Sequence, residues 1–316
     1  TPFFLLSILS GVITILAQYQ AGQINPPFVT RISNAVVAYS IYLGKTFRPV
    51  DLALSYYYVD FFLCQVLCSG FILTGITFFV IYTIRKFPFL FVGWCWYLGA
   101  LIPVIGLIPT NTLVADHYTY FPSIGIAIML SWGIPALCRG KHIRGEFLFV
   151  PAIITLFTLA VLTWIQCGYW KNSINIFSHA IAVTKNNYMA HDKLGVAYEK
   201  KGEIARALYH HNRALLINPH YANAYNNRGI IYLKQCLYQK ALDDFTRAIS
   251  LNPNLANAYN NRGVLYDYID NNQLAIRDYS SAIRLKKDFA EAYKNRACVY
   301  FKQGNLAAGC EDAKKA

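Results

Sequence analysis

TWIQCGYWKNSINIFSHAIAV, residues 163–183, is the joint of this 316-residue chain. On its left, residues 1–170 are dominated by long apolar runs, and on its right, residues 171–316 alternate polar and apolar positions at helical spacing. Trp164, Tyr169 and Trp170 suit a bilayer interface, where an amphipathic ring keeps its apolar body in hydrocarbon and its polar edge in water. The side of the membrane on which Trp170 emerges therefore decides where the right half works.

Composition supports this division. A chain that is 55% hydrophobic and 14% charged is too apolar for one soluble globule. The left part carries 8 Lys+Arg and 4 Asp+Glu, the right part 21 and 12. Those cations alternate with acids and never run beyond two in a row, which argues against nucleic acid and for anionic lipid headgroups as the partner of the basic surface. Of eight cysteines, Cys64, Cys68, Cys95, Cys138 and Cys167 sit in or beside apolar segments, and Cys236, Cys298 and Cys310 lack metal-ligand spacing. Neither a disulfide framework nor a metal site is expected.

Moving outward to the left, five spans are expected at about 3–17, 61–84, 88–108, 121–138 and 147–169, against the roughly 20 apolar residues a crossing needs. Residues 32–43 place Ile32, Val36, Ser40 and Leu43 at helical spacing, as in a helix lying in the interface plane. The basic clusters Arg85-Lys86 and Arg139 to Arg144 are two spans apart and share one face, which the positive-inside rule makes cytoplasmic. The loop at 109–120 and the right half then lie on the opposite, extracytoplasmic side: periplasm, exterior or an organelle lumen. The chain begins with Thr1 and ends inside a repeat, so it is expected to be N-terminally and C-terminally incomplete.

Moving outward to the right, Gly195, Gly229 and Gly263 stand 34 residues apart with Ala297 next in phase, and Tyr198, Tyr232, Tyr266 and Tyr300 follow. Ala207, Ala241 and Ala275 recur likewise, then Ala214, Ala248 and Ala282, with Pro219 and Pro253 closing two units. This matches the tetratricopeptide pattern, in which a small residue on helix A lets helix B approach. The units are a half repeat at 171–187, repeats at 188–221, 222–255 and 256–289, and a truncated repeat at 290–316. The half repeat follows the last span with no Gly/Ser linker, which predicts rigid coupling.

Such an array presents a concave face built from its A helices. Two residues before each small position stand Lys193, Asn227, Asn261 and Asn295. An amide both donates and accepts, so it can hold a peptide backbone without reading side chains. The ladder resembles the one lining the superhelix of the nucleocytoplasmic O-GlcNAc transferase; solvent-facing asparagine is the plainer reading. Arg228, Arg262 and Arg296, immediately after, favour acidic segments if they face the groove. A second candidate cluster is Asp116, His117, Tyr118 and Tyr120 at a membrane entrance, where an imidazole and two phenols can orient a lipid-linked phosphate or an acceptor hydroxyl. The same residues also suit an interfacial aromatic cap with a helix-capping Asp.

Asn34-Ala-Val-Val-Ala-Tyr39, Tyr42-Leu-Gly-Lys45, Pro49-Val-Asp51, Val92-Gly-Trp94, Leu101-Ile-Pro103-Val-Ile-Gly106, Ala115-Asp-His-Tyr-Thr-Tyr120 and Tyr169-Trp170-Lys171-Asn172-Ser173 together resemble one family. It comprises membrane proteins that join a C-type glycosyltransferase fold to tetratricopeptide repeats, related to protein O-mannosyltransferases. The resemblance implies an all-α chain, a partial polytopic bundle followed by a repeat superhelix. It also implies transfer of a sugar, mannose-like, from a polyprenyl or dolichyl phosphate donor to Ser/Thr of an extracytoplasmic protein offered by the repeats. No other cofactor is evident. The family's catalytic acid lies in a loop upstream of residue 1, and its usual arginine is replaced here by His117, which alters the charge available to a donor phosphate. The alternatives are a non-enzymatic membrane-anchored scaffold and an assembly subunit of a membrane complex.

Overall fold

The computed structural model describes residues 28–49, 63–102, 104–105, 119–138 and 146–316. Among them every regular element is a helix, and the chain divides into two compact units. The first comprises Thr1–Asn172 with Ala182–Thr184, and the second Ser173–Ile181 with Lys185–Ala316.

The first unit contains α1 (Phe28–Phe47), α2 (Leu63–Thr83), α3 (Pro88–Leu101), α4 (Tyr120–Cys138) and α5 (Glu146–Tyr169). Its core is tied by tyrosines and tryptophans whose polar ends find partners inside it. Tyr97 donates its hydroxyl to the Tyr39 carbonyl at 2.6 Å, Tyr39 donates to the Leu98 carbonyl at 2.8 Å, and Trp94 donates to Thr77 Oγ1 at 3.0 Å. Ala35 and Ala38 are small enough to bring α1 against these rings, and Tyr42 fills the space beside them. Of the stripe named from sequence, Ile32 is 43% exposed while Leu43 packs against this core. Helices α3 and α4 cross backbone to backbone, since a Cβ on either Gly93 or Gly125 would collide with the other's carbonyl oxygen.

Helix α2 has a mean hydropathy of 2.0 over 18 residues and is long and apolar enough to cross a membrane. Its outer face is aromatic and aliphatic, with Leu67, Phe71, Phe78 and Tyr82 exposed, which in water would be an unusually large apolar patch. Helix α3, expected to run to about 108, ends at Leu101 after 14 residues. Pro103 has no N–H to donate to the preceding turn. The segment expected at 3–17 lies outside the described residues.

The second unit begins with α6 (Ser173–Val183) and continues as helix pairs: α7 (Tyr188–Lys200) with α8 (Ile204–Ile217), α9 (Ala222–Lys234) with α10 (Tyr238–Leu251), α11 (Ala256–Tyr268) with α12 (Asn272–Leu285), and α13 (Ala290–Lys302) with α14 (Leu306–Lys315). The first three pairs each close over one ring set against a glycine of the A helix. A Cβ added at Gly229 would lie 2.8 Å from the Phe245 ring, and one at Gly263 would lie 2.8 Å from the Tyr279 ring. At position 313, in phase with both rings, stands Ala313, and the facing position tolerates Ala297 in place of glycine.

The turn inside each pair is set by one left-handed residue: Gly202 (φ +82°), Cys236 (φ 59°), Asp270 (φ 55°) and Gly304 (φ 76°). Only two of the four are glycine, so the second pair carries a side chain where the backbone resists one. Replacing Cys236 by glycine is expected to raise stability by about 1 kcal/mol. A denaturant midpoint for the repeats, followed by circular dichroism, should rise; a fall would contradict the assigned backbone.

Candidate functional site

The candidate site is the inner face of helices α7, α9, α11 and α13. A groove of about 620 Å³ runs over α9 and α11, lined by Asn226, Asn227, Ile230 and Leu233 of the one and by Asn257, Asn260, Asn261 and Val264 of the other. Tyr238 and Tyr268 border it near the turns. A lining that mixes neutral amides with aliphatic side chains can hold backbone with the one and apolar side chains with the other.

The amides are organised by one another. Asn227 donates to the Asp192 carboxylate at 3.0 and 3.2 Å, Asn261 to Asn226 Oδ1 at 2.9 Å, and Asn295 to Asn260 Oδ1 at 3.1 Å. Each bond joins residues 35 apart, so each A helix is pinned to the one before it. Asp192, Asn226 and Asn260 are buried, whereas Asn227, Asn261 and Asn295 are half-buried. The ladder therefore has one committed donor per rung and keeps amide capacity toward the groove. Lys193 is exposed at the in-phase position of the first repeat. Lys234 to Glu199 and Lys302 to Asp267, each at 2.7 Å, add charged links of the same register.

The arginines expected to meet acidic ligands are engaged elsewhere. Arg228 donates to both oxygens of Asp244 at 2.8 and 2.7 Å, Arg262 to Asp278 at 2.7 and 3.0 Å, and Arg296 to Asp312 at 2.7 and 2.8 Å. A further N–H of each reaches the B helix of the preceding repeat, at Asn212 (2.7 Å), Thr246 (3.3 Å) and Ser280 (2.8 Å). Each guanidinium also lies between two tyrosines, with Arg228 5.5 Å from the Tyr225 centroid and 5.7 Å from that of Tyr232. The bidentate hydrogen bond to Asp244 raises the pKa of Arg228, and Asp312 does the same for Arg296. These cations are braces whose charge is neutralised in place. Sequence spacing alone does not single out Asp244, Asp278 and Asp312, or Asn226 and Asn260, although each set recurs at the repeat interval.

In the first unit, Tyr120 opens α4 and is 73% exposed. Asp116, His117 and Tyr118 lie outside the described residues. Asn34 is 1% exposed, and its amide has no hydrogen-bond partner among the described residues, which marks a polar spot inside an apolar unit. No group of three or more His, Cys, Asp or Glu that could hold a metal occurs among the described residues.

Two tetratricopeptide repeat models match the chain, at residues 222–255 and 256–289. The protein O-mannosyl-transferase TMTC1 of Mus musculus is 26% identical over 133 residues, which cover 40% of this chain and 14% of that protein. Tmtc3 of Drosophila melanogaster, also named a protein O-mannosyl-transferase, is 25% identical over 124 residues, covering 39% of this chain and 13% of its own. The chain thus spans a small part of the relatives it matches. Among solved structures, a crystal structure of MamA aligns with a TM-score of 0.40 at 27% identity, covering 45% of this chain and 83% of that one.

Removing one partner of a brace leaves the other charge stranded. Asp278 has a side chain 3% exposed, so Arg262→Met is expected to cost the array about 3 kcal/mol. The double variant Arg262→Met, Asp278→Leu should recover most of that loss in a denaturant titration. A single variant as stable as the native chain would show the brace to be idle.

Proposed function

We propose that the chain is the repeat-bearing part of a membrane-embedded glycosyltransferase-like protein whose A-helix groove holds an extended polypeptide while a lipid-linked sugar is transferred to its Ser/Thr hydroxyls. Tetratricopeptide repeats are protein-interaction modules, and the groove carries the reading furthest. Its amides are uncharged, ordered by their neighbours and set at a repeating interval, which suits the regular donors and acceptors of an extended backbone. The partial similarity to proteins named O-mannosyl-transferases supports mannose as the sugar.

The membrane part of this reading rests on α2, on the charge asymmetry of the loops, and on four further apolar segments expected to span. On this reading the donor is a polyprenyl or dolichyl phosphate sugar. Its phosphate would meet His117, Tyr118 and Tyr120, with the partly charged imidazole of His117 a weaker anion partner than a permanent cation, and the Asp116 carboxylate would instead accept from the acceptor hydroxyl. The carboxylate that takes the acceptor hydroxyl's proton would come from outside the chain described. The repeats would face the extracytoplasmic side, where the donor's sugar and the acceptor can meet. Protease added to sealed vesicles with the cytosolic face outward should then leave the repeats intact until detergent opens the vesicles, and cutting before detergent would reverse the topology.

Binding tests the groove directly. A fluorescent, uncharged Ser/Thr-rich peptide titrated against the full chain in lipid nanodiscs is expected to lose about tenfold in affinity, near 1.4 kcal/mol, when Asn227, Asn261 and Asn295 are all replaced by Ala. Unchanged affinity in a variant that still melts near the native temperature would rule the amide ladder out as the binding surface.

A further inference from the structure

The first complete repeat departs from the other three where they are most alike. In phase with Arg228 and Asp244 stand Leu194 and His210; in phase with Tyr225, Asn226 and Phe245 stand His191, Asp192 and His211. A neutral cross-brace has thus been replaced by three imidazoles and one carboxylate, all within a single helix pair.

Their geometry leaves room for few protons. His191 Nδ1 and His210 Nδ1 are 3.1 Å apart, so one ring donates and the other accepts. Tyr198 stacks on His210 with centroids 5.5 Å apart, and Tyr209 meets it edge-on at 5.1 Å. His211, fully buried, lies with Nδ1 2.9 Å from Asp192 Oδ1, while its Nε2 is buried with no partner among the described residues. Asp192 also accepts from Asn227 of the next repeat, which makes it the first acceptor of the amide ladder. The charges facing the pair are Arg213, which bears on His191; His211, which bears on His210; and Arg206, over the Tyr198 ring. The nearby carboxylate, Asp192, is already taken by His211 and Asn227.

We propose that the α7–α8 pair is a proton-sensitive joint: acidification charges both His191 and His210, their contact becomes a like-charge contact, and this repeat opens while the three downstream repeats stay closed. The downstream braces are Arg–Asp pairs with no imidazole in them, so they provide the internal comparison. Burial is the main cause that lowers His210 from 6.5 to about 4, with His191 and His211 adding, and burial followed by Arg213 lowers His191. A histidine whose folded pKa is lowered takes up its proton more readily in the open form. Its contribution is therefore complete above the unfolded value near 6.5 and is lost progressively as pH falls toward 4. Opening costs the groove its first rung, since Asp192 moves with α7. The opening concerns the stability of one repeat and is independent of what the groove holds.

Hydrogen exchange of the full chain in nanodiscs, compared at pH 7 and pH 5 after correction for intrinsic exchange, tests it. The ceiling is roughly tenfold per pH unit for each proton taken up, reduced because His210 is partly solvated. Amides of α7 and α8 are expected to open on the order of tenfold more at the lower pH, with α9 to α14 changing far less. His210→Gln, which keeps a hydrogen-bonding side chain but cannot be charged, should remove most of the response. The combination His191→Tyr, Leu194→Arg, His210→Asp, which rewrites the repeat after its neighbours, should remove it too. An α7–α8 pair that tracks the other repeats at both pH values, or a response that survives in His210→Gln, would overturn the proposal.

Discussion

The pitch of the repeat array depends on a guanidinium held in one place by three helices. Arg228, Arg262 and Arg296 each close a bidentate pair with an aspartate on their own B helix and reach back to a polar side chain on the B helix before. The arginine side chains are 13% to 20% exposed and the aspartates 3% to 7%, so water screens these pairs far less than pairs at the surface. Buried charge is expensive unless every donor and acceptor is met, and here the flanking tyrosines and the third helix meet the rest. With the pitch set in this way, each asparagine falls within reach of the acceptor 35 residues earlier. The amide-lined face is thus a by-product of the brace.

Much of this is legible at the level of period and little at the level of partner. The glycine-to-ring packing can be read directly, because small residues recurring every 34 positions are what helix pairs closing over a ring require, and Gly229 does meet the Phe245 ring. The asparagines also stand out by their phase. Arg228, Arg262 and Arg296 are harder: a cation beside a groove looks like a ligand contact until the aspartate 16 residues later is brought over it by the turn of the helix pair. The left-handed residues at the turns are hidden for a similar reason, since Cys236 and Asp270 carry no glycine signal. In the first unit the apolar runs mark helices, but periodicity alone does not indicate that α3 stops at Leu101 or that Asn34 is buried.

Each unit stands on a different physical footing. The first buries tyrosine hydroxyls against backbone carbonyls and the Trp94 indole N–H against a threonine hydroxyl, and it leaves aliphatic and aromatic surface outside, the inverse of a soluble core. The second is an ordinary aqueous array whose stability is a sum over neighbouring pairs. That additivity is why a single repeat built from histidines can respond to protons without dissolving its neighbours, and why the groove can be pre-organised over α9 to α13 whatever the first pair does.

The central claim is that the A-helix face is where a polypeptide rests. Hydrogen exchange of the full chain at neutral pH, with and without a saturating Ser/Thr-rich peptide, measures this most directly. Slowed exchange confined to α9, α11 and α13, with α10, α12 and α14 unchanged, is the predicted result. Protection that appears on the B helices, or is absent from the whole array while the peptide is bound, would contradict it.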